Sequence, residues 1–175
     1  MKSGYFVLLL ASFIGLTSCQ TINSSNDAAV SQPSSSETAI NVQHRDVIAI
    51  TSSDNYTRLG AAYLARENYE KASVKLKKAI QLNASNAKAH NYLGVLYWRL
   101  DKPQLADKEF KLSQQLAPLN SAVLDNYASF LCSQKRYQEA STLFGQVFSN
   151  PLYDRLSNAY QVSADCDLEI GKMNT

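Results

Sequence analysis

One pattern of large and small residues recurs along this chain every 34 positions, and few folds are compatible with it. Leu59, Leu93 and Tyr127 are in register, as are Gly60, Gly94 and Ala128, then Tyr63, Tyr97 and Leu131. A second cluster keeps the same period: Ala72, Ala106 and Ala140, followed by Leu76, Phe110 and Phe144. Within each copy both clusters have helical spacing, so each copy reads as two helices joined by a short turn. Large residues recur where the helices interlock, and small ones where their backbones come close. A helix pair alone cannot bury its apolar face, whereas stacked copies build a continuous core. The period therefore predicts an all-α superhelix.

The repeats can be bounded. The first runs from Ser53 to Asn86, with Tyr56, Leu59, Gly60 and Tyr63 on helix A and Ala72, Leu76, Ala79 and Ile80 on helix B. The second runs from Ala87 to Asn120, its second helix halted by Pro118, which lacks an N–H and fixes φ. The third starts at Ser121, a candidate cap, and continues to Pro151. A fourth helix A is expected from about Arg155 to Ile170, ending at Gly171. It has no helix B, since the sequence stops at Thr175; a terminal cap with a wet outer face and a shortened chain are the two readings, and Asp165, Asp167 and Glu169 favour the cap. Val47, Ile48 and Ile50 extend the opening helix or cover the exposed side of the stack. Glu67, Asp101 and Lys135 stand in the A–B turns where glycine often permits positive φ, which predicts turns tighter or less strained than usual. The pattern resembles the tetratricopeptide repeat: three full repeats plus an unpaired fourth helix A, in a fold whose arrays bind other proteins.

The amino terminus reads as an address. Lys2 and the apolar run from Tyr5 to Leu16 have the charged start and short hydrophobic middle of a secretory signal, too short to span a bilayer as a folded protein's helix. The run ends in Leu16-Thr17-Ser18-Cys19, which resembles the lipobox of bacterial lipoproteins, cut before the cysteine and acylated on it. This implies a signal peptide over 1–18 and lipidation at Cys19; an ordinary secretory signal with a chance cysteine is the alternative. Gln20, in place of an Asp linked to inner-membrane retention, implies the periplasmic face of an outer membrane. Residues 19–43, rich in Ser, Asn and Gln, bury too little apolar surface to offset ordering entropy and read as a flexible tether. The tetratricopeptide domain then occupies 44–175. Removing the first 18 residues takes only Lys2 from a formal charge of +2, leaving +1, so no basic footprint for nucleic acid is present.

A search for chemistry is mostly negative. His44 and His90 have no Cys or Asp at ligand spacing, so no metal site is expected. No phosphate-binding glycine loop appears and no nucleophile sits beside a credible base, so neither a catalytic residue, a cofactor nor a small-molecule substrate is expected. His90 aligns with Tyr56 and is assigned to helix packing. Cys132 and Cys166 fall on successive A helices, which lie side by side; in an oxidising compartment they can form a disulfide, with two buried free thiols as the alternative.

The A helices line the concave wall of such a solenoid. Side chains that avoid the helix packing fall at offsets 2, 5, 9, 12 and 13, which in the second repeat are Lys88, Asn91, Val95, Trp98 and Arg99. Asn hydrogen-bonds a partner's backbone, Lys and Arg pair with carboxylates, and Trp offers the large apolar surface that dominates interfaces. Asp54, Asp125 and Ser129 complete the neighbouring walls. The competing reading packs Trp98 onto the next repeat and leaves Arg99 solvated.

Three phrases narrow the field: Ala89 to Leu100 (AHNYLGVLYWRL), Leu124 to Cys132 (LDNYASFLC) and Asn150 to Tyr153 (NPLY), in that order after a lipobox. Together they resemble the type IV pilus biogenesis and stability lipoproteins, the PilF/PilW pilotins. The resemblance implies a non-enzymatic role, escorting the outer-membrane secretin or helping it multimerise, with the secretin subunit as protein partner and a lipid anchor holding the chain to the membrane. Cys166 falls where that family tends to have a cysteine. Members usually carry more repeats, and the fourth repeat here shows Val162-Ser163-Ala164 in place of the usual core. A tethered scaffold for cell-wall hydrolases or another envelope complex is the second reading, and an envelope enzyme the third.

Overall fold

The computed structural model describes residues 35–173. The signal peptide at 1–18, Cys19 and the tether as far as residue 34 lie outside the described residues. Among the described residues there are seven helices and no strand: α1 (Ser35–Ala65), α2 (Tyr69–Leu82), α3 (Ala87–Arg99), α4 (Pro103–Leu116), α5 (Ser121–Ser133), α6 (Tyr137–Phe148) and α7 (Leu156–Met173). The pairs α1/α2, α3/α4 and α5/α6 form three antiparallel hairpins, and α7, the last helix among the described residues, packs on α6 and α5. The odd-numbered helices are the A helices and the even-numbered ones the B helices.

Caps explain why the helices start where they do. Asn86 accepts from Ala89 N at 3.0 Å, and Asn120, one period later, accepts from Ala122 N and Val123 N at 3.1 and 3.2 Å. Asn120, not Ser121, is thus the cap of α5, with Ser121 as its first helical residue. Asn68 caps α2 by accepting from Lys71 N at 3.2 Å, and Pro103 opens α4, where a missing N–H costs nothing.

The A–B turns correct the expectation from sequence. Glu67, Asp101 and Lys135 all adopt positive φ, at 58°, 53° and 61°. Each turn closes the same pair of backbone bonds: Glu67 N to Leu64 O and Asn68 N to Tyr63 O, Asp101 N to Trp98 O and Lys102 N to Tyr97 O, Lys135 N to Cys132 O and Arg136 N to Leu131 O. This double closure requires a left-handed residue after the helix, whatever its side chain. The fold accepts the strain three times.

Glycine is used for close approach. A Cβ on Gly60 would stand 2.7 Å from the Leu76 side chain, and one on Gly94 would stand 2.9 Å from the Phe110 ring. These contacts set how closely A and B pack within each hairpin.

The core runs continuously through the second and third repeats, where Phe110, Leu124, Tyr127, Phe130, Leu131 and Phe144 interlock. Phe110 stacks on Tyr127 with centroids 5.6 Å apart and meets Phe130 at 5.2 Å. Leu93 is buried against the α1/α2 hairpin, with Leu76 and Leu96. Leu59, in register with Leu93 and Tyr127, is 43 % exposed, because among the described residues no earlier B helix stands over that position. A polar joint replaces part of that contact: Asn86 Nδ2 donates to Ser53 Oγ, Thr57 Oγ1 and Asp54 Oδ1 at 2.8, 3.1 and 3.2 Å. Asp54 therefore serves the joint between hairpins.

Both ends of the domain differ from expectation. α1 begins at Ser35, so residues 35–43 of the expected tether and the expected domain start at 44 fall inside one helix that runs on to Ala65. Polar composition argued against burial, and from residue 42 to 48 the helix is indeed exposed; it does not argue against helix continued from a packed segment. At the other end α7 does not stop at Gly171 but passes through it to Met173.

Candidate functional site

A groove of about 980 Å³ crosses the A helices on their common face. Its middle is apolar: Leu64 from α1, Val95 and Trp98 from α3, and Val162 from α7, with Ser129 and Cys132 of α5 between them. Tyr92, Asn126, Arg155 and Asn158 come from the amino-terminal ends of the A helices, and Arg99, Ser133 and Glu169 from their carboxyl-terminal ends, with the buried Tyr137 behind them. Apolar floor with polar rims is the anatomy of a surface that takes a polypeptide segment.

The sequence-derived residues divide. Val95, Trp98, Arg99, Asp125 and Ser129 line this groove together. Lys88 is exposed outside it, and Asn91 is 3 % exposed and turned into the packing, with Oδ1 lacking a partner. Helix geometry gives the reason: at about 100° per residue, offset 6 lies about 20° from offset 13, while offset 5 lies about 80° away. Tyr92 and Asn126, both at offset 6, take the place assigned to Asn91. Arg155, Asn158, Val162, Asp165 and Glu169 were also unforeseen, since α7 turns a different face to the groove from α3 and α5. Asp165 and Glu169 thus line the groove, and of the three acids expected on a wet outer face Asp167 alone is outside it.

Trp98 has both of the roles that sequence left open. Its ring meets the edge of Phe130 in the next repeat, centroids 5.9 Å apart at 82°, while its other surface lines the groove. Half-buried and braced, it is a preorganised apolar surface.

The polar rim is built around Asp125. This side chain is 1 % exposed; its Oδ2 accepts from Tyr153 Oη at 2.8 Å and from Arg155 Nη2 at 3.0 Å, and Oδ1 has no partner. Burial pushes the Asp125 carboxyl up from the ordinary carboxylate range, only partly countered by Tyr153 and Arg155. Burial and the bond to Asp125 push Tyr153 up to about 12. Arg155 also donates to Asn126 Oδ1 at 3.1 Å, so one guanidinium ties α5 to the start of α7.

Cys132 and Cys166 are joined in a disulfide between α5 and α7, Cα atoms 5.8 Å apart, with Cys132 at the groove wall. His90 is buried, its Nδ1 2.6 Å from Glu109 Oε2 and its Nε2 3.1 Å from Ala84 O. Burial alone would lower its pKa, but Glu109 and the Ala84 carbonyl outweigh burial and raise it. Among the described residues no cluster of His, Cys, Asp and Glu is arranged to hold a metal ion, and no helix is long and apolar enough to cross a membrane.

Repeated hairpins with this register define the class: the fold is that of the tetratricopeptide repeat, an arrangement that generally serves as a scaffold for protein interaction. A family profile described as TPR repeat matches residues 60–101. Within the class its similarity is to type IV pilus proteins. It is 38 % identical over 108 residues to the type IV pilus assembly protein PilF of Pseudomonas aeruginosa, a stretch covering 62 % of this chain and 43 % of PilF. The solved Pseudomonas aeruginosa PilF structure superposes with a TM-score of 0.68 at 35 % identity, covering 71 % of this chain and 56 % of that one. The structure of PilW, described as a widely conserved type IV pilus biogenesis factor, matches in fold with a TM-score of 0.65 at 22 % identity, over 70 % of this chain and 56 % of that one. The resemblance read from the three sequence phrases is thereby borne out. The chain spans about half the length of these pilus relatives.

Proposed function

We propose that this protein is an outer-membrane lipoprotein of the type IV pilus system whose groove captures a segment of the secretin subunit, assisting its localisation or multimerisation. The observation that carries the reading is the braced apolar floor of Trp98, Val95, Leu64 and Val162 between polar rims, in a chain 38 % identical to a pilus assembly protein across its repeats. Arg99 adds charge at one rim, where pairing with a partner sets register more than affinity, while the buried Asp125 holds Arg155 in place at the other. The lipobox supplies the membrane attachment: acylation at Cys19, with Gln20 next to it, holds the domain at the periplasmic face of the outer membrane. Two or three acyl chains hold a protein where one does not.

Deletion of the gene tests the reading. Loss of heat-stable secretin multimers and of twitching is expected, with recovery by the wild-type chain and not by Ser129→Arg, which fills the groove without entering the core. Intact multimers with altered cell shape or hydrolase activity would instead support a tethered scaffold for cell-wall hydrolases. Palmitate labelling lost in Cys19→Ser tests the anchor separately.

A further inference from the structure

Among the described residues five charged side chains line the groove, and they are not equivalent: Arg99 from α3, Asp125 from α5, and Arg155, Asp165 and Glu169 from α7. Asp125 and Arg155 pair with each other at 3.0 Å, and Arg155 is held further by Tyr153 and Asn126, so this couple is satisfied within the fold. Arg99 and Asp165 are exposed, and neither makes an ion pair or a side-chain hydrogen bond among the described residues. One unengaged cation and one unengaged carboxylate therefore stand on the groove wall.

The two are far apart in the stack. Arg99 ends α3 and Asp165 lies in the second half of α7, with α5 between: α3 and α7 each pack on α5 and do not contact each other. Two helix-to-helix steps of about 8–10 Å put about 16–20 Å between these charges. Across that interval α5 contributes Ser129, Cys132 and Ser133 to the wall, none of them charged, with Cys132 tied up in the disulfide. Each charge also has an apolar neighbour on the floor: Trp98 precedes Arg99, and Val162 stands one turn before Asp165. Along its length the groove runs from a cation to a carboxylate across an uncharged middle, and Glu169, one turn on from Asp165, adds to the negative end.

We propose that the groove takes a polypeptide segment of opposed charges: an acidic side chain over Arg99, a basic one over Asp165, and apolar side chains between them resting on Trp98 and Val162. The inference deepens the reading of the groove as the place of secretin capture and rests on it. A uniformly acidic segment is attracted at Arg99 and repelled at Asp165 and Glu169, and a uniformly basic one the reverse; a segment carrying both charges in this order is favoured at both ends. An extended chain covers the interval in about five or six residues, and a helix in about eleven to thirteen. The order of charges also fixes how the segment lies. Turned end for end, it sets like charges against each other at both α3 and α7.

The full chain is titrated with purified secretin subunit at low ionic strength, with binding read by calorimetry. Both side chains are exposed, so reversing either charge leaves the core intact, and circular dichroism confirms the fold of each variant. Arg99→Glu and Asp165→Lys are each expected to weaken binding about tenfold, while Arg99→Lys and Asp165→Glu stay within about threefold of the wild type. Weakening by one reversal and strengthening by the other overturns the proposal in favour of a partner of single charge, and leaves the groove as the place of capture. Binding unchanged by both reversals yet abolished by Ser129→Arg also overturns it alone, in favour of recognition by the apolar floor. A wild-type chain that does not bind the secretin subunit, or binds it equally well with Ser129→Arg and both reversals, overturns the reading of the groove and the proposal together.

Discussion

His90 sits where the equivalent position in the first repeat carries Tyr56, and the exchange brings a titratable group into the packing. Both ring nitrogens face acceptors, Glu109 Oε2 and Ala84 O, so the doubly protonated ring satisfies both. Its folded pKa is raised above the unfolded 6.5, so its contribution is full below that value and is lost as pH rises through the folded pKa. Urea midpoints should therefore fall from pH 6 to pH 8.5 in the wild type, and the fall should shrink in His90→Gln; an unchanged slope would count against the pair. Asp107 works in the other direction. Burial raises it, but bonds from Lys111, Arg136 and Tyr127 prevail and lower it, so its support is lost as pH falls through its folded pKa. Lys135 offers a conformational test: at φ 61°, Lys135→Gly should stabilise by about 0.5–1 kcal/mol, read as a higher melting temperature, and destabilisation would deny the strain.

Between helices, the period fixed more than it seemed to, and its gaps have physical causes. The pairs Gly60/Leu76 and Gly94/Phe110 were legible because small and large residues recur together; Gly94→Ala should cost about 1–3 kcal/mol, since its Cβ would lie 2.9 Å from the Phe110 ring. Gly145 in α6 has nothing within 4 Å, so Gly145→Ala should stabilise by up to about 1 kcal/mol in the same urea titration. The left-handed turns were not legible, because Glu, Asp and Lys carry no mark of positive φ; backbone closure imposes it. The groove was half legible. Offsets on α3 and α5 follow from helical spacing, but the rotation of α7 depends on what its neighbours allow, and no period runs past the last complete repeat. The disulfide pins this helix to α5. Removing it by Cys132→Ala with Cys166→Ala should cost nominally about 3 to 4 kcal/mol in the loop-entropy model, with faster amide exchange in α7 than in α3.

Taken whole, the molecule is a short solenoid with a groove across its A helices, one edge whose turns carry Arg66, Glu67, Asp101, Lys102, Lys135 and Arg136, and an opposite edge from which its amino-terminal helix leaves. Nearest-neighbour stacking lets such an array remain ordered while presenting one face of every A helix to a partner. Arg155 couples that face to the fold, since the guanidinium that lines the groove also holds Asp125 and Asn126. The groove contains the only tryptophan of the chain, Trp98, so its occupancy can be read at one atom. Chain labelled with 5-fluorotryptophan should give a single fluorine resonance that shifts or broadens saturably as purified, unlabelled secretin subunit is added, and Ser129→Arg should abolish the change. A resonance that stays fixed while the two proteins still associate would contradict the groove as the site of capture.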